Sequence, residues 1–217
     1  MSVRVTLKLA TSIDGRIALA DGTSQWITSS EARAQTHEMR AQHDAVVVGV
    51  GTVLADDPML TARTIPLPEK QPARLILDST ARTPLNGRLM STLNVADLII
   101  ATNSAAAGSS HGKQGAKVWN CGDDGDGKTS LKGLIERCEV EGITRLFVEG
   151  GSSVAAAFVK NDLVDEIAWF RAPILLGGDG LSAIGALGLT KIDAAPKFRL
   201  FATEKVGPDC LDIYHRA

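Results

Sequence analysis

Residues 145–153 read Arg-Leu-Phe-Val-Glu-Gly-Gly-Ser-Ser, and this stretch decides the class of fold. Its apolar run predicts a buried strand, and the segment 153–160 that follows has the pattern of a helix. Glycines let a ligand approach the backbone closely, and the free N–H groups of a first helical turn attract phosphate. The stretch therefore indicates a strand, a turn and a helix, with an anion site at the turn. The alternative is an ordinary turn in which Ser152 or Ser153 caps the helix.

The same alternation of strand and helix patterns extends over the rest of the chain. Strands that alternate with helices predict an α/β domain, and the strand-rich end after residue 165 adds antiparallel strands to it. We therefore expect a mixed central sheet flanked by helices. The predicted strands are 3–12, 45–49, 74–77, 98–101, 117–119, 145–148, 166–170, 198–204 and 211–215, and the predicted helices are 28–41, 131–138 and 153–160.

Two signals surround the predicted start of the helix 28–41. Thr28-Ser-Ser-Glu31 fits a capping box, in which the threonine and the glutamate satisfy each other's backbone donors. Trp26 precedes the box and is either a hydrophobic staple, which its position alone favours, or a flat wall for an aromatic ring. Arg40 lies at the other end of the helix, where a cation complements the helix dipole.

The segment after the predicted strand 45–49 is a second candidate ligand loop. It begins Gly49-Val-Gly51-Thr52, but Leu54 stands where a dinucleotide fingerprint needs a glycine, and no P-loop lysine follows. It continues to Asp56, Asp57 and Arg63, which places two acids and a cation beyond a strand's carboxyl end, where α/β sheets bind ligands. A solvated turn is the alternative.

The composition excludes several classes of function. A chain of 217 residues with 44% hydrophobic and 22% charged residues makes one large domain or two small ones with a sizeable core. A net charge of −2 and 4% aromatic residues do not favour a nucleic-acid-binding protein. The N-terminus alternates apolar and polar residues, unlike a signal peptide, and we expect no membrane span and a cytoplasmic location.

The cysteine and histidine spacings also do not indicate a metal site or a disulfide framework. The three cysteines are widely separated, which suggests neither a disulfide framework nor a zinc site, and the four histidines lack the spacings of a catalytic metal site. The segment 105–128 is rich in Gly, Ser and Asp, and its Asp123-Asp-Gly-Asp-Gly127 lacks the closing glutamate of a calcium-binding EF-hand. A solvated loop is therefore predicted there.

Taken together, several linked motifs resemble the pyrimidine reductase of riboflavin biosynthesis. The resemblance is to the C-terminal half of the bacterial bifunctional deaminase/reductase and extends over nearly the whole chain. The motifs are Lys8-Leu-Ala-Thr-Ser-Ile-Asp-Gly-Arg16, Ser24-Gln-Trp-Ile-Thr28, Arg40-Ala, Gly51-Thr-Val-Leu-Ala-Asp-Asp-Pro-Met-Leu-Thr61, Asp78-Ser79, Val148-Glu-Gly-Gly151 and Ala172-Pro-Ile-Leu-Leu-Gly-Gly-Asp179.

This resemblance implies a dihydrofolate-reductase-like fold and NADPH as hydride donor. It also implies reduction of the ribosyl group of 5-amino-6-(5-phosphoribosylamino)uracil to a ribityl chain. The positions that match substrate contacts of the family are Ser24, Arg40, Leu60, Arg63 and Glu149. Those that match cofactor contacts are Thr11, Trp26, Thr52, Asp56, Ser79, Gly151, Ser152, Ser153, Val154, Ala155, Ala156 and Ala157.

Chemistry suggests a role for some of these residues. Arg40 and Arg63 suit the substrate's 5-phosphate, since guanidinium groups pair with phosphate oxygens. Glu149 suits the pyrimidine, because a carboxylate accepts hydrogen bonds from ring N–H or amino groups.

Three further assignments concern catalysis and the cofactor. Asp56 and Asp57 are the candidate proton donors, and Lys8 is either a catalytic residue that steadies the sugar oxygens or the acidic pair, or a solvated lysine. Ser79 with Arg82 suits the 2′-phosphate of NADPH.

The zinc ligands of the bifunctional protein's deaminase are not found in these residues, and we expect one reductase domain without a deaminase domain. A separate deaminase in the same pathway then supplies the substrate, or reduction of the diaminopyrimidine precedes deamination. A reductase of a pterin or folate-like ring and a nucleotide-binding module without turnover also stay open. A homodimer is expected from the resemblance, and the apolar segment 167–170 offers a surface for it, with Trp169 alternatively in the core.

Overall fold

The computed structural model describes residues 2–104 and 108–217. Its strands are β1 (Arg4–Thr11), β2 (Arg16–Ala18), β3 (Ala45–Gly49), β4 (Ala73–Leu77), β5 (Leu98–Thr102), β6 (Lys117–Asn120), β7 (Arg145–Val148), β8 (Glu166–Arg171), β9 (Leu181–Ser182), β10 (Phe198–Val206) and β11 (Asp209–Arg216). Its helices are α1 (Ser30–Ala41), α2 (Val50–Asp56), α3 (Arg88–Ser91), α4 (Ser109–Lys113), α5 (Leu131–Val140) and α6 (Ser152–Lys160), with a 3₁₀ turn at Ile192–Ala194.

The chain divides into two compact units. Unit 1 comprises His37–Phe147 with the residues up to Arg4, and unit 2 comprises Val5–Thr36 and Val148–Ala217. The predicted α/β class, with mostly parallel strands and antiparallel strands at the C-terminal end, is confirmed. That the 217 residues form one reductase domain without a deaminase domain stays a prediction.

Unit 1 is built on strands in the order β7-β3-β4-β5-β6. The pairs β3–β4, β4–β5 and β5–β6 are all parallel. Val46, Val47 and Val48 have no exposed surface, as expected for the continuous apolar run of a strand buried on both faces. Helix α2 begins at the residue directly after β3, so its polar residues lie beyond the carboxyl end of that strand.

Unit 2 contains strands in the order β10-β11-β8-β1. Strand β1 pairs in parallel with β8, whereas β8 pairs with β11, and β11 with β10, in antiparallel fashion. Strand β10 ends this order, and most of its residues are exposed on both faces. A separate antiparallel pair joins β2 to β9.

The start of α1 differs from the predicted capping box at Thr28. The helix begins at Ser30, and its cap is Ser29, whose Oγ accepts a hydrogen bond from the Ala32 N–H at 3.2 Å. The N–H and hydroxyl of Ser29 both donate to Asp209 Oδ2, at 2.7 and 2.8 Å. Asp209, 180 residues away, therefore accepts the N-cap N–H that the glutamate of a capping box would accept. A contact between residues so far apart in the chain cannot be predicted from the local sequence.

Two segments whose sequences predict loops contain helices. Val50–Asp56 forms α2, although its sequence suggests a ligand loop. Ser109–Lys113 forms α4 within the predicted solvated segment 105–128, of which 105–107 lie outside the described residues. Both helices have seven residues or fewer, which is too short for a periodic pattern to appear. The stretch 123–128 is an exposed loop, as predicted.

The apolar surface that was expected at 167–170 does not exist. Strand β8 lies between β1 and β11, and its Ile167, Ala168 and Phe170 are buried. Trp169 is half-buried and donates its indole N–H to Thr11 Oγ1 at 2.8 Å, so it belongs to the interior of unit 2. The apolar residues of β8 therefore pack within the unit.

In the two described ranges of the chain, no helix combines the length and the apolar character needed to cross a membrane. The cytoplasmic location stays a prediction.

Candidate functional site

The predicted site residues fall into two groups, one in each unit. The group in unit 1 consists of Arg40, Thr52, Asp56, Asp57, Leu60, Arg63 and Ser79. The group in unit 2 consists of Lys8, Thr11, Ser24, Trp26, Glu149 and residues 151–157.

In unit 1, Arg40 and Arg63 are brought together around Thr61. Arg40 lies in the last turn of α1 and donates from Nη1 to the Thr61 carbonyl at 3.0 Å. His37, one turn earlier, places Nδ1 3.2 Å from the same carbonyl and 3.3 Å from the Arg63 N–H. Because Nδ1 donates only when protonated and accepts only when not, the histidine makes one of these two bonds at a time.

Arg88 is a third cation beside this pair, and no local pattern in the sequence indicates it. Arg63 has a pKa below the usual arginine range, first because of partial burial and then because of the positive charges of Arg40 and Arg88. The positive charges of Arg40 and Arg88 therefore act on the Arg63 side chain, and we call these three arginines the guanidinium cluster. Such a concentration of like charge is suited to an anion with several oxygens, such as a phosphate.

Packing holds the third member of the cluster in place. Leu60 is 3% exposed and lies in the same buried apolar cluster as Leu89 and Met90, the residues directly after Arg88. Leu60 has a left-handed φ of 54°, so the chain turns sharply there before Thr61 and Arg63. With its side chain in the core, Leu60 can meet a ligand only through its backbone.

The two adjacent aspartates have different environments. Asp57 adopts a left-handed conformation after α2, and its Oδ1 accepts the Arg88 N–H at 2.8 Å, which caps the start of α3. A Cβ at Gly87 would lie 3.0 Å from that oxygen, so glycine leaves room for the contact. Asp56 ends α2 with an exposed side chain, yet partial desolvation by its surroundings raises the pKa of its carboxyl. Of the two, Asp56 is the available acid.

Ser79 is held by Thr129 in unit 1. Its Oγ accepts the Thr129 N–H at 2.8 Å and lies 3.1 Å from Thr129 Oγ1, which itself donates to the Ala101 carbonyl. The Ser79 hydroxyl therefore donates to Thr129 and keeps one acceptor lone pair, which does not suit a phosphate. Arg82 is exposed, and its backbone N–H donates to buried Asp78.

The unit also has a depression of about 470 Å³ that contains none of the predicted residues. Asp44, Asp97, Lys117 and Trp119 are part of its lining. Asp44, Asp97 and Lys117 lie at or just before the beginnings of β3, β5 and β6, whereas α/β sheets bind ligands at the carboxyl ends of their strands. We assign no function to it.

In unit 2, Thr11 is completely buried, and its hydroxyl donates one hydrogen bond and accepts another within the protein. Thr11 has no exposed surface, donates to the Ser12 carbonyl at 2.8 Å and accepts the Trp169 indole N–H. Lys8 is half-buried, with Nζ 5.8 Å from the centre of the Phe170 ring.

Asp14 connects two sequence motifs of unit 2, residues 8–16 and residues 172–179, through hydrogen bonds. Its Oδ1 accepts from Ser12 Oγ at 2.6 Å and from the Leu176 N–H, and its Oδ2 accepts from the Gly177 N–H at 2.7 Å. These bonds, that of Ser12 first, lower the pKa of Asp14 to about 2. The resulting stability is present above the ordinary value of 3.8 and is lost as the pH falls toward 2.

Ser24 and Trp26 lie in a turn closed by a hydrogen bond from the Ile27 N–H to the Ser24 carbonyl at 3.2 Å. Trp26 is 69% exposed, so it does not act as a hydrophobic staple. Its ring instead packs against Arg33, whose guanidinium carbon lies 4.4 Å from the ring centre. The exposed indole fits the alternative interpretation of a flat wall.

The strand–turn–helix unit of residues 145–153 forms as predicted. Val148 at the end of β7 is buried, Glu149 is half-buried, and α6 begins at Ser152. The N-cap is Gly151 rather than a serine, so the N-cap residue has no side chain with which to cap this helix. The backbone bonds of the helix start with that from the Ala155 N–H to the Gly151 carbonyl. The earlier N–H groups of the first turn are therefore suited to an anion.

Gly150 is required for packing. A Cβ at this position would lie 2.4 Å from both Cβ and Cγ1 of Val154, a separation that side-chain atoms do not adopt. The helix can therefore approach the strand end only because residue 150 is glycine.

These features define a mixed α/β domain in which helices begin at the carboxyl ends of strands. The RibD C-terminal domain family matches residues 3–211, and the chain belongs to this family. The predicted resemblance is thereby confirmed.

Individual relatives agree with this assignment. RibD of Aquifex aeolicus, a riboflavin biosynthesis protein, is 35% identical over 98% of this chain and 57% of its own length. The 2,5-diamino-6-ribosylamino-4(3H)-pyrimidinone 5′-phosphate reductase of Methanothermobacter thermautotrophicus is 33% identical over 97% of this chain and 96% of its own.

A solved structure shows the same fold. It is the Thermotoga maritima diaminohydroxyphosphoribosylaminopyrimidine deaminase/5-amino-6-(5-phosphoribosylamino)uracil reductase, which superposes with a TM-score of 0.82 and 30% identity. The match covers 100% of this chain and 57% of that one. The chain thus spans little more than half the length of these two bacterial relatives.

Proposed function

We propose that this protein reduces the ribosyl group of 5-amino-6-(5-phosphoribosylamino)uracil to the ribityl chain, with NADPH as the hydride donor. The observation that carries the proposal is the guanidinium cluster of Arg40, Arg63 and Arg88, which suits a phosphate. The names of the relatives, a riboflavin biosynthesis protein and two proteins with pyrimidine reductase activity in their names, supply the reaction class.

The cluster is proposed to bind the substrate's 5-phosphate. Arg63 is the best residue to test, because Arg40 also donates to the Thr61 carbonyl and its loss would disturb the local backbone. Arg63→Gln is expected to raise KM about tenfold to a hundredfold with little change in kcat, since a charge-assisted contact is lost. Lys70→Gln removes an exposed positive charge from the same unit and serves as the control.

The start of α6 is proposed to bind the pyrophosphate of NADPH. The residues fit this group because Gly151 leaves the first-turn N–H groups without a side-chain cap. When bound, NADPH supplies a hydride to C1 of the opened sugar. Glu149 is proposed to recognise the pyrimidine, and Thr52, Ser24 and Trp26 to complete the contacts of the two ligands. The preference for NADPH over NADH is assigned to Arg82, since the Ser79 hydroxyl already donates to Thr129.

Asp56 is proposed as the proton donor. Ring opening moves the proton of the glycosidic N–H to the ring oxygen and leaves a C1=N bond, so the hydride at C1 must be matched by one proton at nitrogen. A carboxyl with a raised pKa stays protonated to higher pH, which suits a general acid. Asp57 is less suited to this role because its Oδ1 accepts the Arg88 N–H, and Lys8 is proposed to steady the sugar oxygens.

A second candidate substrate is the diaminopyrimidine before deamination, because the Methanothermobacter relative carries that name. Anaerobic oxidation of NADPH with each of the two phosphoribosyl pyrimidines tests the choice, with a dihydropterin as a third arm. We expect the uracil to give the higher kcat/KM. NADPH binding without oxidation by any of them would indicate a non-catalytic module and would refute the proposed function.

We also propose a homodimer that covers β10. Leu200 and Phe201 of this strand are 58% and 70% exposed, and the Phe201 ring stacks on His215 at 4.4 Å. A terminal strand with exposed apolar residues is suited to pairing or packing across a two-fold axis. Sedimentation of the wild type and Phe201→Glu tests the proposal: the wild type should be a dimer at micromolar concentration and the variant a monomer. A monomeric wild type would contradict it.

A further inference from the structure

Trp26, in unit 2, has an unusual environment for an aromatic side chain. It is 69% exposed, although a buried indole contributes more to stability than an exposed one. Single exposed apolar residues need no explanation in general, but this ring is fixed by a specific partner. Its position is therefore maintained by something other than the core.

The partner is Arg33, in the first turns of α1. The guanidinium carbon lies 4.4 Å from the centre of the Trp26 ring, within the range of a cation–π contact. The same guanidinium donates from Nη1 to the Thr28 carbonyl at 2.7 Å, which anchors it to the backbone between the tryptophan and the helix. The arginine is thus held at both the ring and the chain.

We propose that Arg33 is a positioning residue that holds Trp26 as a wall on which the nicotinamide ring of the cofactor stacks, and that its charge makes this wall favour the reduced ring over the oxidised one. This inference rests on the proposed NADPH-dependent reaction. The reduced nicotinamide is neutral, whereas the oxidised ring carries a positive charge. A guanidinium on the opposite face of the same indole repels the charged ring and competes for the electron density of the indole.

The preference has a role in turnover. A site that binds NADPH more tightly than NADP⁺ releases the spent cofactor more readily, and product release limits the rate of many enzymes. Arg33 would therefore act without touching either ligand.

Calorimetric titration of NADPH and NADP⁺ into the wild type, Arg33→Gln and Arg33→Lys tests the inference. The ratio of the two dissociation constants, Kd for NADP⁺ over Kd for NADPH, should fall about two- to tenfold in Arg33→Gln. Arg33→Lys keeps the cation and should retain most of the ratio. Lys160→Gln removes an exposed cation from the same unit and should leave the ratio unchanged.

A double-mutant cycle with Trp26→Leu identifies the route of the effect. If Arg33 acts through the indole, Arg33→Gln should have no further effect on the ratio once the indole is gone. A persistent effect would show that Arg33 acts on the cofactor directly and would overturn the inference. Cooperative thermal unfolding and an unchanged far-ultraviolet circular dichroism spectrum confirm that each variant is folded.

The remaining outcomes separate this inference from the proposed function. An unchanged ratio in Arg33→Gln, with a wild type that binds and oxidises NADPH, overturns the inference alone. An effect confined to the KM of the pyrimidine overturns it as well, because the stacked ring is then the substrate's. A wild type that binds NADPH without turnover refutes the proposed function while the ratio still decides the inference. A wild type that binds neither dinucleotide overturns both.

Discussion

Two helices of unit 2 begin in opposite ways. At the start of α1, Ser29 accepts the Ala32 N–H, and Asp209 accepts both the N–H and the hydroxyl of Ser29. At the start of α6, the N-cap is Gly151, which has no side chain with which to cap the helix. A helix whose first turn is satisfied internally serves the fold, whereas one whose first turn is left to water or a ligand can serve binding.

The largest expected effect comes from giving α6 a cap like that of α1. Gly151→Asp places a carboxylate at the N-cap, where it accepts first-turn N–H bonds and repels the proposed pyrophosphate. NADPH affinity should fall about tenfold to a hundredfold, while the helix itself is stabilised by only about a few tenths of a kcal/mol. Titration of NADPH and thermal unfolding measure the two effects. Gly151→Ser, which caps without charge, is the control, and unchanged NADPH affinity in the aspartate variant would place the pyrophosphate elsewhere.

The reverse change removes the acceptor at the start of α1. Asp209 is 2% exposed, and Asp209→Ala leaves the Ser29 N–H and hydroxyl without their acceptor. The free energy of unfolding should fall by about 1–3 kcal/mol, as measured by urea denaturation, with NADPH affinity unchanged. Asp209→Asn keeps one acceptor oxygen and should lose less. A loss of NADPH affinity without loss of stability would contradict the structural role of this helix start.

The start of α3 in unit 1 is another helix start that is capped within the protein, and its removal should affect stability less than that of the α1 cap. Asp57 accepts the Arg88 N–H, but the contact is exposed and the helix has four residues. Asp57→Ala should reduce the free energy of unfolding by about 0.5–1 kcal/mol and leave kcat nearly unchanged. Asp56→Asn, in contrast, should lower kcat about tenfold to a hundredfold. If Asp57→Ala lowers kcat and Asp56→Asn leaves it nearly unchanged, Asp57 and not Asp56 is the proton donor.

Most of the strands could be predicted from the sequence because their apolar runs are local signals. Strands β3 and β7 have the predicted bounds, and the ends of the other predicted strands differ by one or two residues. The start of α1 could not be predicted correctly, since its acceptor, Asp209, lies 180 residues away from Ser29. Helix α2 was missed because it is seven residues long and begins directly after a strand.

The candidate site shows the same division between local and distant information. The proximity of Arg40 and Arg63 was expected from the shared chemistry of guanidinium and phosphate, and the structure brings both beside Thr61. The sequence did not indicate Arg88 as a site residue, because its position depends on the packing of Leu60 against Leu89 and Met90, which directly follow Arg88. The roles of all these residues in binding and catalysis stay predictions until they are measured.

The parallel pairing of β1 with β8 also affects how the protein is synthesised. Thr6 of β1 pairs with Glu166 of β8, 160 residues later. At about 5–20 residues per second, a ribosome takes roughly 8–30 s to produce the partner after β1 has been made. During that interval the backbone groups on that edge of β1 have no native acceptors or donors, and an unpaired strand edge is a template for aggregation. The β8-facing edge of β1 is therefore without its native partner until β8 has been made.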